Sequence, residues 1–329
     1  MQCVDKPGYL VIEYIEESQG SMLSNTWFDN EHHTSERRKN YFHSLTRILL
    51  SITKTPLPSI GSFFIDRNGD LILGNRPLTM EFHELENESI TTDIPRHSTY
   101  SNVQSYVGEI LEMHDNRLHY QPNAVNDLDD CGYQMSALTA MRTVGPLIFN
   151  RSLRRGPFIF SLTDMHQSNV FVDDEWNITC LIDLEWACSK PIEMVHPPYW
   201  LTNKGVDEIE LDEYSIRREE FMAALKSEEG KLKSPQARPY VLSEVMEESW
   251  TSGAFWYSLA LSSPTGLFHN FYHHIHPLFS NKGTVKLGNV MPFYWVRSAG
   301  KFVGKKLEDK KLYDKNLIEA FSIDGSSTE

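Results

Sequence analysis

Three oxygen-bearing side chains near the middle of the chain have types and a spacing that suit cation binding and proton transfer. Asp164 and Asn169 lie five positions apart, and Asp183 follows them. Carboxylate and amide oxygens are the ligands that hard divalent cations prefer. A carboxylate held beside such a cation can take a proton from an attacking hydroxyl group. The three residues therefore predict a cation site, bound by Asn169 and Asp183, with Asp164 as the general base.

Two short apolar segments between these residues predict a β-hairpin. Val170–Val172 and residues 178–182 are the two strands, and the polar run of residues 173–177 suits a tight reversal between them. If the strands pair, Asn169 and Asp183 fall at the same end of the hairpin, and Asp164 lies on the loop that enters that end. Asp and Asn also end strands for reasons of turn chemistry alone, so a helical scaffold with a coincidental hairpin is one alternative.

The order of these residues resembles a known active site. The pattern Asp164-x4-Asn169, a hairpin and then Ile-Asp183-x-Glu185 is similar to the catalytic loop and the metal-binding Asp of kinase-like phosphotransferases. The form Leu-Ile-Asp-Leu-Glu-Trp-Ala resembles the aminoglycoside and choline kinase branch, and within it the aminoglycoside phosphotransferase-like family. The resemblance implies that Asp164 is the catalytic base, that Asn169 and Asp183 bind Mg²⁺, that ATP is the phosphoryl donor, and that Glu185 is a secondary carboxylate nearby.

The same resemblance implies an α+β fold of the protein-kinase type. The chain would form mainly the helical C-terminal lobe, with a catalytic β-hairpin and only a remnant of the N-terminal lobe sheet. Residues 9–15 predict a strand, and Glu13, Tyr14 and Ile15 resemble the hinge whose backbone binds the adenine of ATP. We therefore expect residues 1–17 to be the remnant strand and hinge, and residues 18–329 to be the C-terminal lobe, entered through a polar linker at residues 18–30.

Two departures from the family pattern leave a second function open. Leu162 stands where the branch usually has a His, two residues before the catalytic Asp. No Gly-x-Gly-x-x-Gly loop occurs, and Lys6 is too close to the hinge to pair with the nucleotide phosphates. Positioning accounts for most of phosphoryl-transfer catalysis. The chain is therefore expected to be either a phosphotransferase whose N-terminal lobe is incomplete here, or a catalytically impaired pseudo-kinase that acts as a binding module.

Composition and charge restrict the partners. The chain has 329 residues, of which 40% are hydrophobic, and a formal net charge of −14. Nucleic acid and anionic membranes would be repelled at long range, whereas a cationic small-molecule substrate is compatible with that field. The sequence contains no apolar run long enough to span a membrane and no signal-peptide core at its start, so we expect a cytoplasmic protein. Neither the phosphate acceptor nor an oligomeric state is specified by these patterns.

Apolar periodicity predicts most of the remaining elements. It predicts a hairpin from residues 60–65 and 71–73, turning at Asn68 and Gly69, and helices at residues 35–52, 101–118, 133–149, 216–225, 243–261 and 301–314. Residues 81–96 have few periodic apolar side chains and predict a loop. Arg76 before them is expected to be solvated, and the alternative is that it orients a neighbouring carboxylate. The aromatic run at residues 197–201 is expected to pack in the core, and the alternative is that it lines a substrate cleft.

Overall fold

The computed structural model describes residues 13–29, 31–77, 79–232, 240–280 and 287–324. These residues form an α+β fold in which helices predominate and the sheets are small. The helices are α1 (Ser24–Trp27), α2 (Ser35–Ile52), α3 (Met80–Asn87), α4 (Val103–Tyr120), α5 (Leu128–Ile148), α6 (Leu211–Gly230), α7 (Leu242–Ser252), α8 (Ala254–Leu261), α9 (Pro264–Asn270), α10 (Pro292–Trp295) and α11 (Ala299–Asp324).

Three small antiparallel sheets accompany the helices. The strands are β1 (Ser21–Met22), β2 (Ser62–Ile65), β3 (Leu71–Asn75), β4 (Phe158–Ser161), β5 (Val170–Val172), β6 (Ile178–Leu181) and β7 (Cys188–Pro191). One sheet has the order β1-β5-β6, a second consists of β2 and β3, and a third of β4 and β7. The β5-β6 and β4-β7 pairs bracket the loops that carry the predicted site.

The predicted β5-β6 hairpin is present, and its turn is built as the sequence suggests. Val170 pairs with Leu181, and Phe171 pairs with Cys180. At the other end, the Asp173 carboxylate accepts hydrogen bonds from the backbone N–H groups of Glu175 and Asn177, at 3.0 and 2.8 Å. Such side-chain bonding to the following backbone is what makes Asp a strong turn former. All three side chains of β5 are buried, so the register of the hairpin is fixed by the core.

The core lies among the long helices, which begin at polar caps. The Thr34 hydroxyl accepts a hydrogen bond from the backbone N–H of Arg37 at 3.3 Å, and α2 starts at the next residue. Tyr41 and Leu45 lie on the buried face of α2, which packs against α6. An Asp127 cap accepts from the Asp130 N–H at 2.8 Å. This cap explains why α5 begins at Leu128, earlier than its apolar spacing predicts.

Several sequence predictions are wrong. The segment predicted as a linker, residues 18–30, supplies β1 and α1, and its Leu23 and Trp27 are fully buried. The predicted helix over residues 243–261 divides into α7 and α8 at Gly253, whose φ of 88° a helix interior does not allow. The predicted strand at residues 9–15 falls partly outside the described residues, and its described part, residues 13–15, has no regular secondary structure.

The predicted loop over residues 81–96 is also wrong in its first part, which forms α3. A buried arginine explains the difference. Arg76 is only 3% exposed, and its guanidinium donates to the Thr92 hydroxyl at 3.0 Å and to the Ile94 carbonyl at 2.7 Å. It also pairs with Glu86 of α3. The helix is therefore attached through an ion pair in addition to its buried Leu85. The expectation of a solvated Arg76 is wrong, and the alternative, that Arg76 orients a neighbouring carboxylate, agrees with its pairing with Glu86.

A buried carboxyl group joins the end of α5 to the segment after β7. Glu193 is 4% exposed, and its Oε1 accepts from the Asn150 backbone N–H at 2.7 Å. The other carboxyl oxygen has no partner among the described residues. Burial, opposed by the Asn150 N–H and reinforced by Glu248, raises the pKa of Glu193 from 4.5 to about 7. The folded state therefore favours the protonated acid.

We expect Glu193→Gln to remove a pH-dependent loss of stability. Because the pKa of Glu193 is raised in the folded state, its protonated side chain adds to the free energy of unfolding. This contribution is complete below pH 4.5 and is lost as the pH rises to about 7. Across that pH range the free energy of unfolding of the wild type should fall by about 3 kcal/mol more than that of the variant. Urea unfolding at pH 5 and pH 8 measures it, with the exposed Glu244→Gln as control. Parallel pH profiles for wild type and Glu193→Gln would contradict the expectation.

Candidate functional site

Asn169 connects the three predicted site residues. It closes a single 3-10 turn, Gln167–Asn169, directly before β5. Its side-chain Nδ2 donates to the backbone carbonyl of Asp164 at 2.9 Å. Its backbone carbonyl accepts from the backbone N–H of Ile182 at 3.0 Å. The residue after Ile182 is Asp183. One buried Asn therefore fixes both the loop that carries Asp164 and the end of β6 that carries Asp183.

The structure brings Asp164, Asn169 and Asp183 to one small cavity. All three line a cavity of about 10 Å³, which is near the lower limit of the space that one water molecule needs. Its other lining residues are Leu162, Thr163, Met165, Leu181, Ile182, Leu184 and Ala187. The three predicted residues therefore lie together at one cavity, and the alternative in which Asn169 and Asp183 lie far apart does not hold.

Asp183 has an unusual backbone conformation. Its φ is 54°, in the left-handed region that residues other than glycine rarely adopt. Its side chain is exposed, and no hydrogen bond to its carboxylate is found among the described residues. Backbone strain of this kind persists where the surrounding structure enforces it, and it concentrates at functional sites.

The environment of Asp164 favours its protonated form more than water does. The side chain is half-buried. Burial raises the pKa of Asp164, and the negative charges of Glu185 and Asp183 raise it further, against the opposing effect of His166. A carboxylate with a raised pKa is a stronger proton acceptor when it is ionised. Burial is thus the main cause of the raised pKa, and the nearby acidic side chains add to it.

A larger groove lies beside the small cavity and includes the predicted hinge. Glu13, Tyr14 and Ile15 line it, together with β5, β6, Asp183 and Glu185, and its volume is about 1430 Å³. The structure thus places the predicted cofactor-binding residues and one predicted metal ligand on the same groove. Its acidic lining residues are Glu13, Glu17, Asp173, Asp174, Asp183 and Glu185, and no Lys or Arg of the described ranges lines it.

A cluster of tryptophans packs beside the loop that carries Asp164. The rings of Trp27 and Trp176 stack with centroids 5.2 Å apart, and Trp200 meets Trp27 edge-on at 5.3 Å. The Trp176 indole donates to the Thr26 hydroxyl at 3.0 Å, and the Trp200 indole donates to the Met165 carbonyl at 2.7 Å. Trp200 is 2% exposed, so the expected core packing of the aromatic run is confirmed. A buried indole N–H usually has a hydrogen-bond partner, but the sequence does not indicate that the partner of Trp200 is the Met165 carbonyl.

The donor set suits a magnesium ion. No group of three or more His, Cys, Asp or Glu side chains able to hold a metal ion occurs within the described ranges. A cation at the candidate site would therefore have the amide oxygen of Asn169 and the carboxylate of Asp183 as its protein ligands. Mg²⁺ usually binds through one or two carboxylates and keeps several water or phosphate ligands. Two protein ligands thus fit a Mg²⁺ ion that keeps water or phosphate as its other ligands. They are too few for a metal ion whose ligands all come from the protein.

Comparisons with protein-family models, with curated proteins and with solved structures gave no match. The part of the chain that the structure describes has no helix that is both long and apolar enough to cross a membrane. Function is therefore inferred from the geometry and chemistry of the site.

Removal of the Asn169 amide should weaken the fold measurably. Asn169→Ala leaves the Asp164 carbonyl without its partner in a half-buried position. Loss of such a hydrogen bond costs about 1–3 kcal/mol in the free energy of unfolding. Urea denaturation measures the change, with Asn289→Ala as control, because Asn289 also closes a 3-10 turn but is exposed, and its substitution should stay within about 0.5 kcal/mol. Equal stabilities of the two variants would show that Asn169 does not hold the loop.

Proposed function

We propose that this chain is a kinase-like phosphotransferase of the aminoglycoside phosphotransferase-like type, which transfers the γ-phosphoryl group of ATP to a hydroxyl group of a small molecule. The observation that supports it best is the convergence of Asp164, Asn169 and Asp183 on one cavity at the side of a large groove. The side chain of Asn169 also bonds the Asp164 carbonyl, which the pairing of a hairpin alone does not require.

In this proposal Asp164 takes the proton of the acceptor hydroxyl. Its backbone is fixed by the hydrogen bond from Asn169, so the carboxylate is presented from a rigid loop. Preorganisation of this kind lowers the cost of bringing the reacting groups together. The raised pKa of Asp164 adds to its strength as a base, provided that the solution pH keeps it ionised.

Asn169 and Asp183 would hold the magnesium ion. The Asn169 amide nitrogen is engaged with Asp164. The amide oxygen accepts a hydrogen bond from the Ser168 hydroxyl at 3.3 Å and keeps a second lone pair for the ion. When bound, the ion neutralises negative charge on the phosphates and polarises the transferred phosphoryl group. Glu13, Tyr14 and Ile15 would contact the adenine, and the groove that they share with Asp183 allows a nucleotide to reach from one to the other.

The acidic groove favours a second candidate function. Its described lining contains no cationic side chain to hold phosphates, and Leu162 at the cavity cannot orient the loop through a hydrogen bond. A protein that keeps the fold and binds a metal ion or ligand without phosphoryl transfer is consistent with both features. This second candidate is a catalytically impaired pseudo-kinase that acts as a binding module.

Two substitutions separate these functions. Asp164→Asn should lower phosphoryl transfer from Mg²⁺-ATP to an acceptor panel of amino sugars and choline by about 10²–10⁴-fold, the usual contribution of a general base. Asp183→Ala should abolish Mg²⁺-dependent ATP binding, as measured by titration calorimetry. The exposed Asp129→Asn in α5 is the matched control. ATP binding without transfer by the wild type would favour the second candidate, and Mg²⁺-dependent ATP binding that survives Asp183→Ala would refute the proposed site.

The pH dependence of transfer gives a further test. Because Glu185 raises the pKa of Asp164, Glu185→Gln should lower that pKa. Activity requires ionised Asp164, so the acidic limb of the kcat/KM profile should move to lower pH in the variant. The control is Glu175→Gln, at the far end of the hairpin. An acidic limb at the same pH in both variants would show that Asp164 is not the group whose ionisation limits the rate.

A further inference from the structure

The side-chain hydroxyl of Thr163 joins the two loops that carry Asp164 and Asp183. Its Oγ1 donates to the backbone carbonyl of Trp186 at 2.5 Å. Thr163 directly precedes Asp164, and Trp186 follows Asp183 by three residues. We propose that Thr163 is a positioning residue that keeps the general base and the metal-binding Asp in a fixed relation. The inference rests on the function proposed above and assigns a role that the family resemblance does not give.

The position of this bond in the β4-β7 ladder supports the proposal. The two strands pair from Phe158 with Pro191 to Ser161 with Cys188. Continuing the same register, the next pairs are Leu162 with Ala187 and Thr163 with Trp186. Backbone pairing ends at Ser161, and two residues later the Thr163 hydroxyl bonds the strand partner that the register predicts. The side chain thus extends the pairing to the edge of the site after the backbone ladder has stopped.

Trp200 holds the same loop from its other side. Its indole N–H donates to the carbonyl of Met165, so the residues before and after Asp164 are each fixed by a side-chain hydrogen bond. The ring of His166 lies 5.9 Å from the Trp200 ring. Leu162, which lines the cavity, has no polar side-chain atom to contribute. One hydroxyl and one indole from different parts of the chain therefore hold the backbone on either side of Asp164, and the Asn169 amide holds Asp164 itself.

Loss of the Thr163 hydroxyl should let the two loops separate. Thr163→Val keeps the volume and β-branching of the side chain but removes the donor, whereas Thr163→Ser restores the donor. Displacement of reacting groups by about 1 Å can cost on the order of 10²-fold in rate. The Val variant should therefore lose kcat, and the Ser variant should recover most of it.

The decisive experiment compares four purified full-length variants with the wild type. They are Thr163→Val, Thr163→Ser, Trp200→Phe and Thr46→Val. Thr46 is the matched control, because its buried hydroxyl donates to the Phe42 carbonyl within α2 at 2.7 Å and lies outside the site. Amide hydrogen exchange of residues 162–169 and 182–187 reports on the loops, and Mn²⁺ titration followed by electron paramagnetic resonance reports on the metal site without activity.

Thr163→Val should accelerate exchange in both loops and weaken Mn²⁺ binding about tenfold, while Thr163→Ser and Thr46→Val should resemble the wild type. Trp200→Phe should accelerate exchange in residues 162–169. Unchanged exchange in Thr163→Val, or a Ser variant no better than Val, would overturn the inference. A wild type that transfers no phosphoryl group would refute the proposed function alone, because hydrogen exchange would still decide whether Thr163 holds the loops.

Discussion

The site depends on one constraint: a buried asparagine bonds to two loops at once. The side chain of Asn169 bonds the backbone of Asp164, and its backbone bonds that of Ile182 beside Asp183. An amide side chain is suited to this position, because it donates with its nitrogen and keeps an oxygen for a ligand. A carboxylate could not donate to the Asp164 carbonyl, and an apolar residue could do neither. The relation between the Asp164 loop and the end of β6 before Asp183 is thus set by the fold before any ligand binds.

The rest of the architecture makes that constraint rigid. All three side chains of β5 are buried, and β1 pairs with the edge of β5 that faces away from β6. The β4-β7 pair brings both loops to the same end. Gly20 shows how close this packing is. A Cβ atom there would lie 2.5 Å from the Thr179 hydroxyl and 2.9 Å from the Val172 carbonyl, so only glycine lets the chain pass from the groove into β1.

The sequence predicts the parts of this arrangement that leave a local pattern. The hairpin, α2 and the polar residues at the hairpin ends follow from alternating apolar residues, helical spacing and turn chemistry. The parts that depend on contacts between distant residues could not be predicted. Helix α3 is attached by Glu86 to Arg76, β1 gains its strand character only by pairing with β5, and Thr163 and Trp200 act through single hydrogen bonds to remote carbonyls. None of these contacts produces a periodicity within one segment.

The tryptophan cluster also makes the site optically observable. The chain has seven tryptophans, and three of them lie with neighbouring ring centroids 5.2 and 5.3 Å apart. Chromophores this close share their excited states, and one of them is hydrogen-bonded to the loop beside Asp164. The near-ultraviolet circular dichroism of the native protein therefore contains a signal from this cluster beside that of the Trp250–Trp256 pair, whose ring centroids lie 5.5 Å apart. The part from the cluster responds to displacement of the loop without any dye or isotope.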